Sequence, residues 1–429
     1  MEQGKTIRAA LLGAGTVGGG VYKLANLLKE DIFQKTGARL EIDKVLVRDR
    51  SKKREGIPSE ILTDRWEEIR DDDGIEIVIE LMGGIHPALD YIQEALHGGK
   101  QVVTANKDLL AQYGAQLFEA AQERHCDLHF EASVAGAIPI IRPLRQSLAA
   151  AELTEVMGIV NGTTNYILTK MSEEGMGYGE ALKLATRLGY AESDPTADVE
   201  GYDAGRKLAI MASIAFNSRV TFSQVYTEGI TKITAEDIRY AKEFGYVVKL
   251  IGMTRLTDEG IEVKVHPMLI PDQHPLASVR DSFNAVFVHG KACDDAMFMG
   301  RGAGEMPTAS AVMGDVIDCM RNLLHGSCGK IGCGCYLNLP VKPIEETVSR
   351  FFLRIQVTDR PGALANIAGI LGNNGVSIEQ VVQKKSHNGV AELVIITDNV
   401  RERYFNDALR ILEGMSVIQE ISGYIRVYG

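Results

Sequence analysis

The sequence predicts an α/β protein in three parts: a Rossmann-type doubly wound parallel sheet at the N-terminus, an α+β middle region, and a C-terminal β-α-β-β-α-β tail. Three observations carry this. A glycine-rich turn separates the first predicted strand from the first predicted helix. Buried-looking strands then alternate with helical segments, the pattern of parallel sheets. The last eighty or so residues repeat a strand and helix order known from ferredoxin-like modules.

Ile7–Leu12 is an apolar run that ends in Gly13-Ala14-Gly15-Thr16-Val17-Gly18, and helical periodicity follows over Val21–Glu30. G-x-G-x-x-G by itself is weak evidence. Between a strand and a helix it predicts a dinucleotide site: Gly13 for the tight turn, Gly15 for backbone approach to a pyrophosphate, Gly18 for close helix–strand packing. Leu40–Val47, Ile75–Leu81 and Gln101–Thr104 read as further strands, with Pro87–His97 helical between the last two. At the end of the second strand stands Val47-Arg48-Asp49-Arg50. Arg48 suits a ribose 2′-phosphate, which favours NADP, while the adjacent Asp49 keeps NAD as the alternative. A solvated charged loop is the bland reading of the same residues.

At 429 residues the chain has room for two or three domains, and 45% hydrophobic with 24% charged residues is ordinary for a globular protein. A net charge of −11 argues against nucleic acid or an anionic membrane as the main partner. No apolar run approaches the ~20 residues of a membrane span, and the N-terminus passes straight into a strand without a signal-peptide core. A cytoplasmic location is the expectation. Of six cysteines, Cys328, Cys333 and Cys335 cluster as C-x4-C-x-C, which fits no common zinc motif, although His325 stands near them. Reduced structural cysteines are the simpler reading.

The most informative stretch is Leu188–Lys207, LGYAESDPTADVEGYDAGRK, which crowds Glu192, Asp194, Asp198, Glu200, Asp203 and Lys207 into a turn and the helix after it. Helical periodicity over Tyr202–Phe216 places Asp203, Lys207, Ile210 and Ile214 on one stripe. An exposed i,i+4 pair would contribute only about 0.2–0.5 kcal/mol. This helix is otherwise apolar, and a desolvated lysine has the adjustable pKa a general acid needs.

The segment resembles the signature of homoserine dehydrogenases, G-Y-A-E-x-D-P-x-x-D-x-x-G-x-D-x-x-x-K, with each fixed position present from Gly189 to Lys207. The resemblance implies Lys207 as the proton donor and acceptor for the substrate oxygen. Asp203 would orient it and bind substrate, and Glu192 would hold the substrate ammonium. Thr104-Ala105-Asn106-Lys107 is similar to the family's T-A-N-K, whose lysine lies near substrate and nicotinamide, so Lys107 joins the catalytic set. Asn161-Gly162-Thr163-Thr164-Asn165-Tyr166 matches N-G-T-T-N-Y and places Gly162 and Thr163, with Asp198, on the substrate; Thr163 as a plain helix cap is the alternative. The implied cofactor set is Gly13, Gly15, Thr16, Val17, Gly18, Arg48, Gly83, Thr104, Lys107, Gly189 and Gly304. The segment from Glu131 to Pro139 resembles one that wraps a monovalent cation, usually sodium, through backbone carbonyls at positions matching Glu131, Val134, Gly136 and Ile138. A structural hinge reads equally well there.

In the tail, Phe351–Val357, Val376–Gln383, Ala391–Thr397 and Ile418–Val427 read as strands, with Ala363–Leu371 and Arg401–Leu412 helical. Its D-R-P-G and N-N-G-V-S-I motifs resemble an ACT domain, a binder of amino-acid effectors. That implies an effector set of Asp359, Pro361, Gly362, Asn373 and Asn374, with L-threonine as inhibitor. A dimerisation module without ligand is the alternative. The expected domains are residues 1–134 for the nucleotide (completed by about 305–340), 135–304 for substrate and dimerisation, and 350–429 for regulation. The implied enzyme interconverts L-homoserine and L-aspartate 4-semialdehyde in threonine, methionine and isoleucine biosynthesis, as a homodimer or homotetramer. A rival, a phosphorylating aldehyde dehydrogenase, needs a thiolate, and Cys126 is the one cysteine in a plausible place.

Overall fold

A computed structural model describes residues 4–383 and 389–429. The chain divides into two compact units. One comprises the N-terminal part up to Val156 with Ala209–Phe222 and Asn284–Asn338; the other comprises Met157–Leu208, Ser223–Phe283 and Leu339–Gly429.

The first unit carries a six-stranded parallel sheet of β1 (Thr6–Leu12), β2 (Arg39–Leu46), β3 (Leu62–Thr63), β4 (Ile75–Glu80), β5 (Gln101–Thr104) and β6 (Leu128–His129). Their order is β3-β2-β1-β4-β5-β6. The sequence direction reverses between β1 and β4, and that switch point is where open α/β sheets bind ligands. Ile7, Leu11, Ile77, Ile79 and Val103 of the sheet form one core with Val312, Met313 and Val316 of the helix Glu305–His325. That helix therefore covers the nucleotide sheet although it lies far away in sequence.

The first helix runs Thr16–Leu27 and starts earlier than its apolar periodicity suggests. The glycines that hid it, Gly18 and Gly20, are buried helical positions. A Cβ on Gly18 would lie 2.1 Å from the Gly13 carbonyl oxygen, so the turn and helix can close only on glycine.

In the second unit, Tyr246–Thr257 and Gly260–Pro271 form a long antiparallel hairpin, with Val265 opposite Gly252. No local pattern in the sequence marks this hairpin. The tail shows the expected element order: strand Val348–Thr358, helix Ala363–Asn373, strands Ile378–Gln383 and Val390–Thr397, helix Glu402–Glu413 and strand Ile418–Val427. Phe352 pairs with Ile396 on one side and with Ile425 on the other. The core beneath is Phe351, Leu353, Ile355, Ile367, Phe405 and Leu409, with Phe351 and Phe405 stacked at 3.7 Å.

The tail is not a free-standing module. Its last strand runs parallel to the hairpin strand, with Met268 opposite Arg426 and Leu269 opposite Val427. This pairing covers a sheet edge that would otherwise expose unpaired backbone groups. Behind it, Arg426 makes a bidentate pair with Glu402 at 2.7 Å through both Nε and Nη2, and Lys264 lies 3.6 Å from the same carboxylate.

Candidate active site

Asp203 and Lys207 lie one turn apart in the helix Tyr202–Ala215, as the spacing predicts. Lys207 Nζ donates to Asp203 Oδ2 at 2.6 Å and to the Val160 carbonyl at 2.8 Å. Both side chains are 12% exposed, so the pair sits at the rim of the interior and is not a solvated surface pair. An ammonium has three donors, and two are used here. The third is available to a substrate oxygen.

Asn161 caps the helix Gly162–Glu174, its Oδ1 accepting from the Thr164 backbone at 2.9 Å. Its Nδ2 donates to Asp198 Oδ1 at 2.6 Å and to Asp203 Oδ2 at 3.0 Å. One amide therefore spaces two carboxylates that would otherwise repel. Burial pushes the Asp198 carboxyl above its usual range, and the nearby Asp203 adds to this against the Asn161 hydrogen bond. Thr163 is not the cap. Its hydroxyl donates to the Tyr190 carbonyl at 2.7 Å and ties the helix start to the loop that carries Glu192. Glu192 itself is exposed, and among the described residues no hydrogen bond or ion pair joins it to Asp203 or Lys207.

In the first unit, Gly13 adopts φ +96° and a Cβ there would meet the Leu81 carbonyl oxygen at 2.9 Å. A Cβ on Gly15 would meet nothing within 4 Å, so the open space lies beside Gly15 and the helix start at Thr16 and Val17. No side chain caps that start. Free backbone N–H groups at a helix N-terminus fit a pyrophosphate, and the residues present fit a dinucleotide.

Beside it, Glu80 is fully buried at the end of β4. It accepts from the Met82 and Gly83 backbone at 2.8 and 3.3 Å, and from the Thr104 hydroxyl at 2.6 Å. Asn106 donates from Nδ2 to the Gly84 carbonyl at 2.7 Å and caps the helix Lys107–Glu123. Gly83, Thr104 and Lys107 are thus fixed as one network, with Lys107 half-buried at the first helical position. Gly189 and Gly304 adopt φ +79° and +134°, and Gly304 starts the helix Glu305–His325. Arg48 is exposed beyond β2, whereas Asp49 accepts from the Ser51 backbone and hydroxyl at 2.9 and 2.6 Å.

The Glu131 carboxylate accepts from the backbone N–H groups of Ile140, Ile141 and Arg142 at 2.6, 2.8 and 2.8 Å. Ala135 and Gly136 both adopt left-handed φ, +56° and +57°. Among the described residues, the carbonyls of Val134, Gly136 and Ile138 accept no backbone hydrogen bond. In the tail, Asp359 and Gly362 line a cavity of about 220 Å³ together with Thr358, Arg360 and Gln383. Pro361, Asn373 and Asn374 do not line it; Asn374 donates to the Ile370 carbonyl and closes its own helix. Cys126 is buried and its thiol is pushed up to about 11, which makes it a poor nucleophile for the rival aldehyde chemistry.

Three family models match in chain order: homoserine dehydrogenase NAD binding domain over residues 13–131, homoserine dehydrogenase over 139–317, and ACT domain over 351–414. The chain is 45% identical over 428 residues to a homoserine dehydrogenase of Bacillus subtilis, covering 99% of both chains. It belongs to the homoserine dehydrogenase family. A solved homoserine dehydrogenase from Thiobacillus denitrificans superposes with a TM-score of 0.94 at 39% identity, covering 99% of both chains. A hyperthermophilic archaeal homoserine dehydrogenase in complex with NADPH gives 0.62 at 25% identity, over 73% of this chain and 97% of that one.

As a homoserine dehydrogenase the protein is an oxidoreductase with a dinucleotide-binding domain and an ACT domain. Three buried polar residues that organise its site were not singled out from sequence: Asn161, Glu80 and Asn106. Asn161 and Asn106 lie inside the N-G-T-T-N-Y and T-A-N-K segments and Glu80 in the predicted strand Ile75–Leu81, and the signal was an amide or carboxylate at or just beyond the end of a predicted strand. Among the described residues no helix is long and apolar enough to cross a membrane.

Proposed function

We propose that this chain interconverts L-homoserine and L-aspartate 4-semialdehyde, with NADP as the preferred nucleotide and NAD as the alternative. The reading rests on one observation: Lys207 is held by Asp203 and the Val160 carbonyl with one N–H left over. When bound, the nicotinamide supplies or accepts the hydride at substrate C4. Lys207 gives its proton to the oxygen in the reducing direction and takes one in the oxidising direction. Asp203 keeps Lys207 aimed and balances its charge, and Asn161 fixes Asp203. Gly162 and Thr163 at the helix start, Asp198, and the exposed Glu192 would bind the amino-acid end, the last through the ammonium. Lys107 would stand near the nicotinamide.

Arg48, exposed beyond β2, supports the NADP preference, because the Asp49 carboxylate already accepts from the Ser51 backbone and hydroxyl. A monovalent cation, sodium by the resemblance, would sit on the carbonyls of Glu131, Val134, Gly136 and Ile138. The Glu131 carboxylate is already committed to three N–H groups and supplies no side-chain ligand. L-Threonine would act as feedback effector through the Asp359–Gly362 turn, in a cytoplasmic homodimer or homotetramer that feeds threonine, methionine and isoleucine synthesis.

Nucleotide reduction would be followed by absorbance with L-homoserine and either NADP or NAD, with Lys207→Ala run alongside. A homoserine-dependent rate that falls roughly 10²–10⁴-fold in the variant is expected. An unchanged rate in Lys207→Ala would sink the assignment. Threonine inhibition would be tested with Asp359→Ala rather than by truncation, because the tail strand is paired into the hairpin.

A further inference from the structure

The sequence shows no zinc-type cysteine spacing, yet the fold gathers donors that lie far apart in the chain. Asp127 immediately precedes β6, His129 is its last residue, and Cys319 lies in the helix Glu305–His325. One ligand atom from each lies within 4.8 Å of the others, the only such group of three or more His, Cys, Asp or Glu among the described residues. His129 Nε2 is buried with no hydrogen-bond partner among the described residues, 3.8 Å from Asp127 Oδ2. A buried imidazole nitrogen without a partner costs about 1–3 kcal/mol, so it calls for an occupant.

The Asp127 carboxylate is held in place by two donors. Its Oδ1 accepts from the Gly329 backbone at 2.8 Å and its Oδ2 from Asn322 Nδ2 at 2.8 Å. Each oxygen keeps a further lone pair, and such outer partners fix a ligand's direction. Cys319 is fully buried, and burial holds its thiol neutral in the absence of a cation.

We propose that Asp127, His129 and Cys319 bind a zinc-type divalent transition-metal ion, with water in the fourth position. A mixed S, N and O set suits zinc, whose bonds of roughly 2.0–2.3 Å put tetrahedral donors about 3.3–3.8 Å apart. The donors must therefore close by roughly an ångström from the present spacing. Binding expels the thiol proton of Cys319 to solvent, and His129 binds as the neutral ring. The ion would clip the long helix onto edge strand β6 within the nucleotide-binding unit. It takes no part in hydride or proton transfer.

The test uses the metal-stripped full-length protein, titrated with Co²⁺ alone and then with Zn²⁺ alone. The expected result is one equivalent of cobalt with a thiolate-to-cobalt charge-transfer band, and a rise in Tm with zinc. Cys319→Ala should abolish the band. His129→Asn should weaken cobalt binding by at least about a hundredfold, since even outer-shell partners are worth 10–100-fold. Homoserine turnover and unliganded Tm, measured in both variants, confirm that each is folded. A wild-type protein that gives no sulfur-to-cobalt band, or a band that survives Cys319→Ala, overturns the site and leaves the three groups as a buried polar cluster.

Discussion

Asn161 and Lys207 converge on the same atom, Asp203 Oδ2, at 3.0 and 2.6 Å. The amide sets where the carboxylate sits, and the carboxylate sets where the ammonium points. Asn161→Ala is expected to lower kcat roughly a hundredfold, the cost of a misplacement near an ångström, with a smaller change in KM. The variant also loses a helix cap, at about 1 kcal/mol. Steady-state kinetics beside a thermal melt separate the two effects. A kcat loss no larger than the melt explains would remove Asn161 from the positioning role.

Gly15 and Gly18 should respond differently to the same substitution. Gly15→Ala fills open space beside the helix start, so the protein should keep its Tm while its KM for the nucleotide rises roughly tenfold. Gly18→Ala drives a Cβ to 2.1 Å from the Gly13 carbonyl oxygen and should destabilise the domain by about 1–3 kcal/mol. Denaturant midpoints and nucleotide KM values for both variants check this. Equal stability loss in the two would contradict it.

Lys264 is buried between the hairpin and the tail, donating to the Ser349 hydroxyl at 2.8 Å, and burial lowers its pKa to about 8. The unfolded chain, with the ordinary value of 10.5, binds more protons between those two values. Stability from this group therefore rises as pH climbs from about 8 towards 10.5. Lys264→Met should flatten that rise while Glu402 stays paired with Arg426. Urea midpoints across this range would show it, and parallel curves for the two proteins would count against it.

Cys333 should be the fastest thiol to alkylate. A hydrogen bond from Cys335 holds it below the ordinary thiol range, and Arg219 donates to its sulfur at 3.2 Å. Cys126 and Cys319 should react slowly in the folded protein because burial pushes both up. Peptide mapping after brief iodoacetamide treatment near neutral pH checks the order, and Arg219→Ala should slow Cys333. Uniform labelling of all six cysteines would show that the pairing has no effect.

The site was legible wherever local spacing fixes local geometry. Asp203 and Lys207 share a helix face because i and i+4 must, and Gly13, Gly15 and Gly18 have their places because a strand-to-helix turn allows few alternatives. The helix over Thr16–Leu27 was read late, since glycines carry no periodic signal. Thr163 was weighed as a cap, but Asn161, two residues earlier, already satisfies the helix start. The long hairpin is not legible locally because Gly260–Pro271 is buried along almost its whole length and Tyr246–Thr257 through its middle, so neither shows alternation.

The sequence by itself determined the family, the order of elements and the helical placement of the proton-transfer pair, because these follow from motifs and backbone periodicity. Only the tertiary structure decided that Glu80 ties two nucleotide loops together and that Asn161 spaces two carboxylates. It alone placed the last tail strand against the hairpin and brought Asp127, His129 and Cys319 together. The physical reason is common to all four. Each is a contact between residues distant in the chain, set by how buried polar groups and sheet edges find partners, and no local pattern records that choice.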